Sequence, residues 1–326
     1  MKRIMMLVFV SCLFISCSKE EPKEKTFTYQ GNPLVRYMFT ADPSARVFGD
    51  RLYVYTSHDE DTADANQHFL MNNWHVFSTD DLVNWIGHGE IFSLDDISWA
   101  NKQAWAPDCV ERNGKYYLYL PVEQTKIGVA VGDTPTGPFK DVLGKPLIDN
   151  TDNQAVVGRE PIDPAILMDD DGQAYMYFGC RDARVVKLKD NMKELDSDIK
   201  PVTINGIEGF TENNDGFYGE APWVFKRNDI YYFVYSNGWA SQSTIIYAMG
   251  KSPMGPFDYV GEVMSPVGAG TSHASILEFK GKWYIFYHNN FLSDNGKRRS
   301  VCFDELTFAP DGKINRVTYH SPTELQ

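Results

Sequence analysis

Residues 218–236 read YGEAPWVFKRNDIYYFVYS, and this stretch sets the pattern for the whole chain. A carboxylate at Glu220 precedes a proline and a short apolar run, a polar turn follows at Asn228, and an aromatic run begins at Tyr231. Two short apolar runs separated by a polar turn are typical of a β-hairpin. The stretch therefore predicts two antiparallel strands with an acidic residue at the start of the first.

The same block occurs five times at regular spacing. In each block the aromatic run begins 11 residues after a leading residue, except in the third block, where a longer turn at 169–172 makes the separation 12. Successive blocks begin 64, 57, 57 and 53 residues apart. We call the five leading residues the mouth residues: Asp42, Ala106, Asp163, Glu220 and His273.

Five such blocks predict an all-β fold, a five-bladed β-propeller in a single domain over residues 35–320. Two outer segments also repeat, GDTPTGPF at 132–139 and GKSPMGPF at 250–257. In a propeller the first strand of each blade runs along the central channel. We therefore expect the mouth residues to converge at one end of that channel.

The net charge and the spacing of the cysteines limit which partners and metal sites are expected. The 326 residues carry 31 basic and 44 acidic side chains, which gives a formal net charge of −13. An acidic surface repels nucleic acid and anionic lipid headgroups, so no nucleic-acid partner is expected. Cys109, Cys180 and Cys302 lie far apart without a C-x-x-C spacing, which favours free thiols over a zinc site.

The N-terminus has the pattern of an export signal. Two basic residues precede an apolar run over 4–15, which is too short to span a bilayer as a stable helix. Cys17 follows this run and resembles the acylated cysteine of a bacterial lipoprotein; the alternative is a plain secretory signal with an incidental cysteine. The pattern predicts a signal peptide over 1–16, a tether over 17–34, and a lipid anchor in the outer membrane, at the cell surface or on the periplasmic face.

The motifs around the mouth residues resemble glycoside hydrolase family 43, an inverting family on a five-bladed propeller. This resemblance implies that Asp42 is the general base that activates water and that Glu220 is the general acid that protonates the leaving oxygen. It implies that Asp163 orients the acid and raises its pKa. Inversion requires two carboxyl groups roughly 6.5–9.5 Å apart, so that a water molecule fits between base and sugar. The motifs are ADPS at 41–44, WAPD at 105–108, IDPA at 162–165, GEAP at 219–222 and SHAS at 272–275.

The same resemblance implies residues that bind the sugar. Arg299 matches a family arginine that reaches the sugar, and Trp105 matches an aromatic residue that stacks on it. Tyr218 and Trp239 are further stacking candidates. The structural alternatives are an exposed strand charge for Arg299 and packing between blades for Trp105.

No cofactor is required for the chemistry that the resemblance implies. His273 matches a channel histidine that in many members helps to hold calcium, so a structural Ca²⁺ in the central channel is an expectation. Calcium prefers oxygen ligands, and a neutral hydrogen-bonded histidine is the alternative.

Two acidic stretches suggest metal sites but fit other roles. The DDDG segment at 169–172 lacks the spaced ligands of a calcium loop and predicts a hairpin turn. The second stretch is irregularly spaced and indicates an acidic loop in the first blade. Its members are His58, His68 and His75 with Asp59, Glu60, Asp61 and Asp64.

The sequence thus predicts an inverting glycoside hydrolase that releases terminal β-D-xylose or α-L-arabinofuranose from plant cell-wall oligosaccharides. Alternatives are an endo- or exo-arabinanase or a galactosidase of the same fold, and a retaining relative that cleaves fructan or sucrose. A propeller that only binds glycans is the alternative from outside enzymology. Three carboxylates in one register favour catalysis, because binding alone does not require them.

Overall fold

The computed structural model describes residues 24–62, 68–151, 154–207, 217–238, 243–265 and 268–319. Their regular secondary structure is almost entirely β-strand, with one short helix, α1 (Gln154–Val157), and one 3-10 turn, Leu94–Asp96. No helix among them is long and apolar enough to cross a membrane.

The strands form five separate sheets, one for each block of the repeat. Blade 1 contains β1 (Lys25–Thr28), β2 (Phe39–Phe48), β3 (Arg51–Asp59), β4 (Asn73–Thr79) and β5 (Asn84–Ser93). Blade 2 contains β6 (Asp108–Arg112), β7 (Lys115–Val122), β8 (Lys126–Gly132), β9 (Lys140–Asp141) and β10 (Ile148–Asp149), and blade 3 contains β11 (Ala165–Met168), β12 (Ala174–Phe178), β13 (Arg184–Leu188) and β14 (Lys200–Pro201). Blade 4 contains β15 (Ile204–Asn205), β16 (Glu220–Arg227), β17 (Ile230–Ser236), β18 (Ile245–Gly250) and β19 (Phe257–Met264), and blade 5 contains β20 (Ala274–Phe279), β21 (Lys282–Asn289) and β22 (Ser300–Leu306).

The predicted five-bladed propeller is confirmed. The first long strand of each block contacts its counterparts in the two neighbouring blades, so that β2, β6, β11, β16 and β20 close a ring. Within each blade the long strands pair antiparallel in chain order, and among the described strands only β15 pairs in parallel, with β19. The five inner strands therefore bring the starts of all blocks to one end of the channel.

The core lies in the interfaces between neighbouring blades. Trp74 of blade 1 shares a buried cluster with Leu118 of blade 2, and Phe77 of blade 1 shares another with Phe286 of blade 5. Three more buried clusters join blades 2 and 3, blades 3 and 4, and blades 4 and 5. Burying one large apolar side chain contributes roughly 1.5–3 kcal/mol, so these interfaces hold the ring together while its channel mouth remains polar.

The N-terminal segment joins the propeller earlier than the sequence predicted. Strand β1 pairs with β5 and extends blade 1. The Asn32 side chain accepts the Phe303 amide proton at 3.0 Å and donates to the Phe303 carbonyl at 3.1 Å, so it acts as a strand partner for blade 5. The expected tether over 17–34 therefore extends too far, because residues 25–34 belong to the domain. The block repeat gave no sign of this, since it begins only at Asp42.

Candidate active site

A cavity of about 510 Å³ opens where the inner strands begin. Four of the five mouth residues line it, and at the second block the lining residue is Trp105 rather than Ala106. Carboxyl, imidazole, guanidinium and aromatic groups thus face one space. The described lining residues are Asp42, His68, Phe69, Met71, Trp105, Gln124, Glu160, Ile162, Asp163, Cys180, Arg181, Glu220, Gly270, Thr271, His273, Lys297 and Arg299.

Asp42 is turned towards this cavity by a β-bulge. The register between β2 and β3 shifts between Ala41 and Ser44, so that Asp42 and Pro43 have no partner in the ladder. Asp42 adopts a left-handed backbone with a φ of 53°, which is uncommon for a residue other than glycine. Bulges redirect side chains in this way and are common beside active sites.

Blade 4 carries the same bulge at a different place relative to its carboxylate. The register between β16 and β17 shifts between Glu220 and Trp223, and Ala221 has a φ of 57°. The structural equivalent of Asp42 is therefore Ala221, and Glu220 is the ladder residue before the bulge. Gly219 allows this course, because a Cβ at Gly219 would lie 2.3 Å from the Gly238 nitrogen.

The predicted register is consequently wrong by one residue in blade 4. The 11-residue spacing placed Glu220 at the position of Asp42 and Tyr231 at the position of Tyr53. In blade 1 Tyr53 pairs with Arg46, the third residue after the proline of the bulge. In blade 4 the third residue after the bulge proline is Phe225, and it pairs with Tyr232. Glu220 still lines the cavity, because the bulge follows it directly.

Asp42 is a buried carboxylate that remains ionised. Its Oδ1 accepts a hydrogen bond from Arg299 Nη1 at 2.8 Å, and its Oδ2 accepts one from Ser57 Oγ at 2.6 Å. Burial by itself raises the pKa of Asp42, but the charge of Arg299 outweighs it and lowers that pKa to about 2. Asp42 is therefore negatively charged across the mildly acidic and neutral range.

Two carboxylates, Asp42 and Asp59, bind the guanidinium of Arg299. The side chain is only 2% exposed, which rules out the alternative of an exposed strand charge. Besides Asp42, it donates to Asp59 through Nε at 3.0 Å and through Nη2 at 3.0 Å. A third donation, from Nη1, reaches Thr271 Oγ1 at 2.9 Å. Bidentate arginine–carboxylate pairs fix orientation as well as charge, so the guanidinium presents a set geometry to the cavity.

The prediction of an acidic loop around residues 58–64 is wrong for Asp59. It ends β3, it is fully buried, and it also accepts the Arg299 amide proton at 2.7 Å. His58 and His75 do not form a metal cluster, since both contact the Asn73 side-chain oxygen, at 2.9 and 3.2 Å. Residues 63–67 lie outside the described part of the chain.

Asp163 and Glu220 form a pair of interacting carboxyl groups. Burial and then the charge of Asp42 raise the pKa of Asp163, and burial and then the charge of Asp163 raise the pKa of Glu220 well above its usual range. The Ala221 amide donates to Asp163 Oδ2 at 3.0 Å, which favours the ionised form of Asp163. We therefore place the negative charge of the pair on Asp163 and the proton on Glu220.

His273 lines the cavity as a neutral imidazole. Burial lowers the pKa of His273 to about 4, and its Nδ1 lies 3.9 Å from Asp42 Oδ1. Within the described ranges no group of three or more His, Cys, Asp or Glu residues is arranged to hold a metal. The nearby Asp42 is already engaged by Arg299 and Ser57, so these residues do not supply the oxygen ligands that calcium prefers.

The aromatic candidates have different locations. Trp105 lines the cavity, and its Nε1 donates to the Phe69 carbonyl at 3.2 Å. Tyr218 does not line the cavity; it lies in the core between blades 3 and 4, where its hydroxyl donates to the Gly179 carbonyl at 2.6 Å, so its expected contact with the sugar is wrong. Trp239 lies outside the described residues.

Besides Asp59, the residues that the sequence reasoning missed include His288 and Lys297. His288 on β21 is fully buried beside Asp42, and its Nδ1 accepts the Asp42 amide proton at 3.0 Å. Lys297 lines the cavity with its Nζ 3.5 Å from the centre of the Phe69 ring. The repeat pattern singles out neither, because both lie outside the starts of the blocks.

A closed ring of five blades, with an ionised and a protonated carboxyl group facing one polar cavity, defines the propeller class of glycoside hydrolases. The sequence model of the family described as "Glycosyl hydrolases family 43" matches residues 30–314 of this chain. The chain belongs to this family, and the predicted family, fold and enzyme class are confirmed.

Relatives and solved structures cover most of the chain. Xylosidase/arabinosidase 43A of Humicola insolens is 37% identical, over 86% of this chain and 98% of that protein. The β-xylosidase of Xylanibacter ruminicola is 35% identical, over 86% and 97%. A family 43 β-xylosidase/α-arabinofuranosidase from a compost microbial metagenome, solved in a calcium-free form with xylotriose, has a TM-score of 0.80 and 35% identity over 90% of this chain and 99% of that one.

Proposed function

We propose that the protein is an inverting exo-glycosidase that releases terminal β-D-xylose or α-L-arabinofuranose from plant cell-wall oligosaccharides. The observation that carries the proposal is the contrast between Asp42, which is ionised, and Glu220, whose pKa is raised, on the walls of one cavity. Relatives named as xylosidases and arabinosidases support the choice of a pentose.

In this proposal Asp42 acts as the general base and Glu220 as the general acid. A water molecule attacks the anomeric carbon while Asp42 takes one of its protons, and the bond from that carbon to the leaving oxygen breaks. Glu220 gives its proton to the leaving oxygen in the same step, so the sugar is released with inverted configuration. Proton exchange with solvent then restores both groups.

Asp163 and Arg299 support these groups without transferring protons. The hydrogen bond from the Ala221 amide to Asp163 fixes the peptide that follows Glu220, and the negative charge of Asp163 keeps Glu220 protonated. Arg299 keeps Asp42 ionised and presents its guanidinium to the cavity. No step of this mechanism uses a metal, and calcium beside His273 stays an expectation from the family resemblance alone.

The size of the cavity favours the end of a chain over its interior. Its volume of about 510 Å³ lies in the range of pockets that enclose a small ligand. An endo-acting arabinanase needs an open groove that holds several sugars on both sides of the bond. We therefore favour exo action over the arabinanase alternative.

Following the released anomer by proton NMR tests the stereochemistry. With an aryl β-D-xyloside, α-xylose should be the first product, and β-xylose should appear only through later mutarotation. Early release of β-xylose would contradict inversion and favour the retaining alternative. An absence of turnover on β-xylosides, α-L-arabinofuranosides and galactosides would instead favour a propeller that only binds glycans.

We also propose that the enzyme is exported and anchored to the outer membrane by a lipid on Cys17. The support is the sequence alone, a basic start, an apolar run over 4–15 and the cysteine that follows it. Cells fed radiolabelled palmitate should label the wild type but not Cys17→Ala, which should also leave the detergent phase in Triton X-114 partitioning. Equal labelling of both proteins would contradict the anchor.

A further inference from the structure

We propose that His288 is a positioning residue for Asp42: its Nδ1 accepts the Asp42 amide proton and thereby holds the left-handed backbone that aims the Asp42 carboxylate at the cavity. The proposal rests on the proposed role of Asp42 as the general base. His288 itself does not line the cavity, so it acts through Asp42 rather than on the sugar.

The bulge in blade 1 creates a need for such a partner. Because the ladder between β2 and β3 skips Asp42 and Pro43, the Asp42 amide receives no acceptor from β3. Asp42 is 5% exposed, and a buried amide without an acceptor is strongly unfavourable. Blade 5 supplies the acceptor instead, since His288 Nδ1 lies 3.0 Å from the Asp42 nitrogen.

The other ring nitrogen of His288 fixes the tautomer. Nε2 lies 2.9 Å from the Thr271 carbonyl oxygen, which only accepts hydrogen bonds. Nε2 must therefore carry the hydrogen, and Nδ1 is left free to accept. Burial, with the charge of Arg299, lowers the pKa of His288 to about 3, in keeping with a neutral ring between Asp42, Arg299 and His273.

Blade 4 shows why the acceptor in blade 1 is an imidazole. There the bulge amide belongs to Ala221, and its acceptor is the carboxyl group of Asp163, whose charge raises the pKa of Glu220. A carboxylate in the place of His288 would likewise raise the pKa of Asp42 and weaken a base that must stay ionised. A neutral acceptor beside the base and an acidic one beside the acid give the same bulge two opposite chemical roles.

Two substitutions separate the two contacts of His288. The amide of His288→Asn reaches the position of Nδ1 and keeps an acceptor for Asp42, whereas the amide of His288→Gln reaches the position of Nε2 and keeps only the contact with Thr271. We expect H288N to retain kcat within about fivefold, and H288Q to lose about 10²-fold in kcat with little change in KM, since small misplacements of a catalytic group cost this much. A merely structural role would not separate kcat from KM or be rescued by asparagine.

Hydrogen exchange needs no substrate, so it tests the contact between His288 and Asp42 independently of the proposed function. Hydrogen exchange at the Asp42 amide should be slow in the wild type and in H288N and at least ~10-fold faster in H288Q, because exchange requires the hydrogen bond to open. Nitrogen NMR of labelled wild-type protein should show His288 with its proton on Nε2. A proton on Nδ1, equal exchange in all three proteins, or equal kcat in H288N and H288Q would overturn the proposal. Normal protection in an inactive wild type would instead reject the proposed function and, with it, the catalytic role of this contact.

Discussion

Asp42→Asn should lower kcat by about 10²–10⁴-fold on every pentoside that the enzyme cleaves, the range that general acid–base catalysis contributes. Asparagine preserves the shape of the side chain, and its oxygen still accepts a hydrogen bond, but it takes no proton from water. The loss should be similar for substrates with good and poor leaving groups, because the base acts on water and not on the leaving oxygen. Steady-state kinetics on aryl xylosides and on xylobiose measure both effects.

Asp108→Asn is the matched control for this variant. Asp108 is also a fully buried carboxylate near the start of an inner strand, and it accepts hydrogen bonds from Arg46 at 2.9 Å and from the Ile166 amide at 2.6 Å. It does not line the cavity, so its loss should lower the melting temperature while kcat of the folded protein stays within about fivefold, as expected for a structural ion pair. If D42N kept more than about a tenth of wild-type kcat, Asp42 would not be the base.

The local pattern of the sequence was sufficient for the fold and for the three acidic mouth residues. Each block carries its own hairpin signal, and the repeat places Asp42, Asp163 and Glu220 at one end of the channel. Counting residues failed in blade 4 because the carboxylate there stands one residue before the bulge. The adjacent Tyr231 and Tyr232 let the same 11-residue spacing fit either Glu220 or Ala221, and the sequence does not show which of the two is the equivalent of Asp42.

The residues that tune the site could not be predicted in the same way. Asp59 is separated from Arg299 by 240 residues, and His288 is separated from Asp42 by 246. Such contacts form only when the ring of blades closes, and no local sequence pattern around either residue indicates them. In the sequence Asp59 is followed by Glu60 and the exposed Asp61, so it resembles a loop residue although it is fully buried.

Glu220→Gln should reduce kcat by about 10²–10⁴-fold on xylobiose but far less on 2,4-dinitrophenyl β-D-xyloside. Glutamine donates no proton, and dinitrophenolate is stable enough to leave without one, so only the substrate with the poor leaving group depends on the acid. Burial and the charge of Asp163 raise the pKa of Glu220, so wild-type activity on xylobiose should fall on the alkaline side as Glu220 loses its proton. That alkaline decline should be absent in the residual activity of the glutamine variant.

Asp163→Asn tests the origin of the raised pKa with the same assay. Asparagine retains an oxygen that accepts the Ala221 amide proton but removes the charge that raises the pKa of Glu220. The pKa of Glu220 should therefore fall, and the alkaline decline should move to lower pH while Glu220 keeps its position. Equal losses of E220Q on both substrates would show that Glu220 does not protonate the leaving oxygen. An unmoved alkaline limb in D163N would show that burial alone keeps Glu220 protonated.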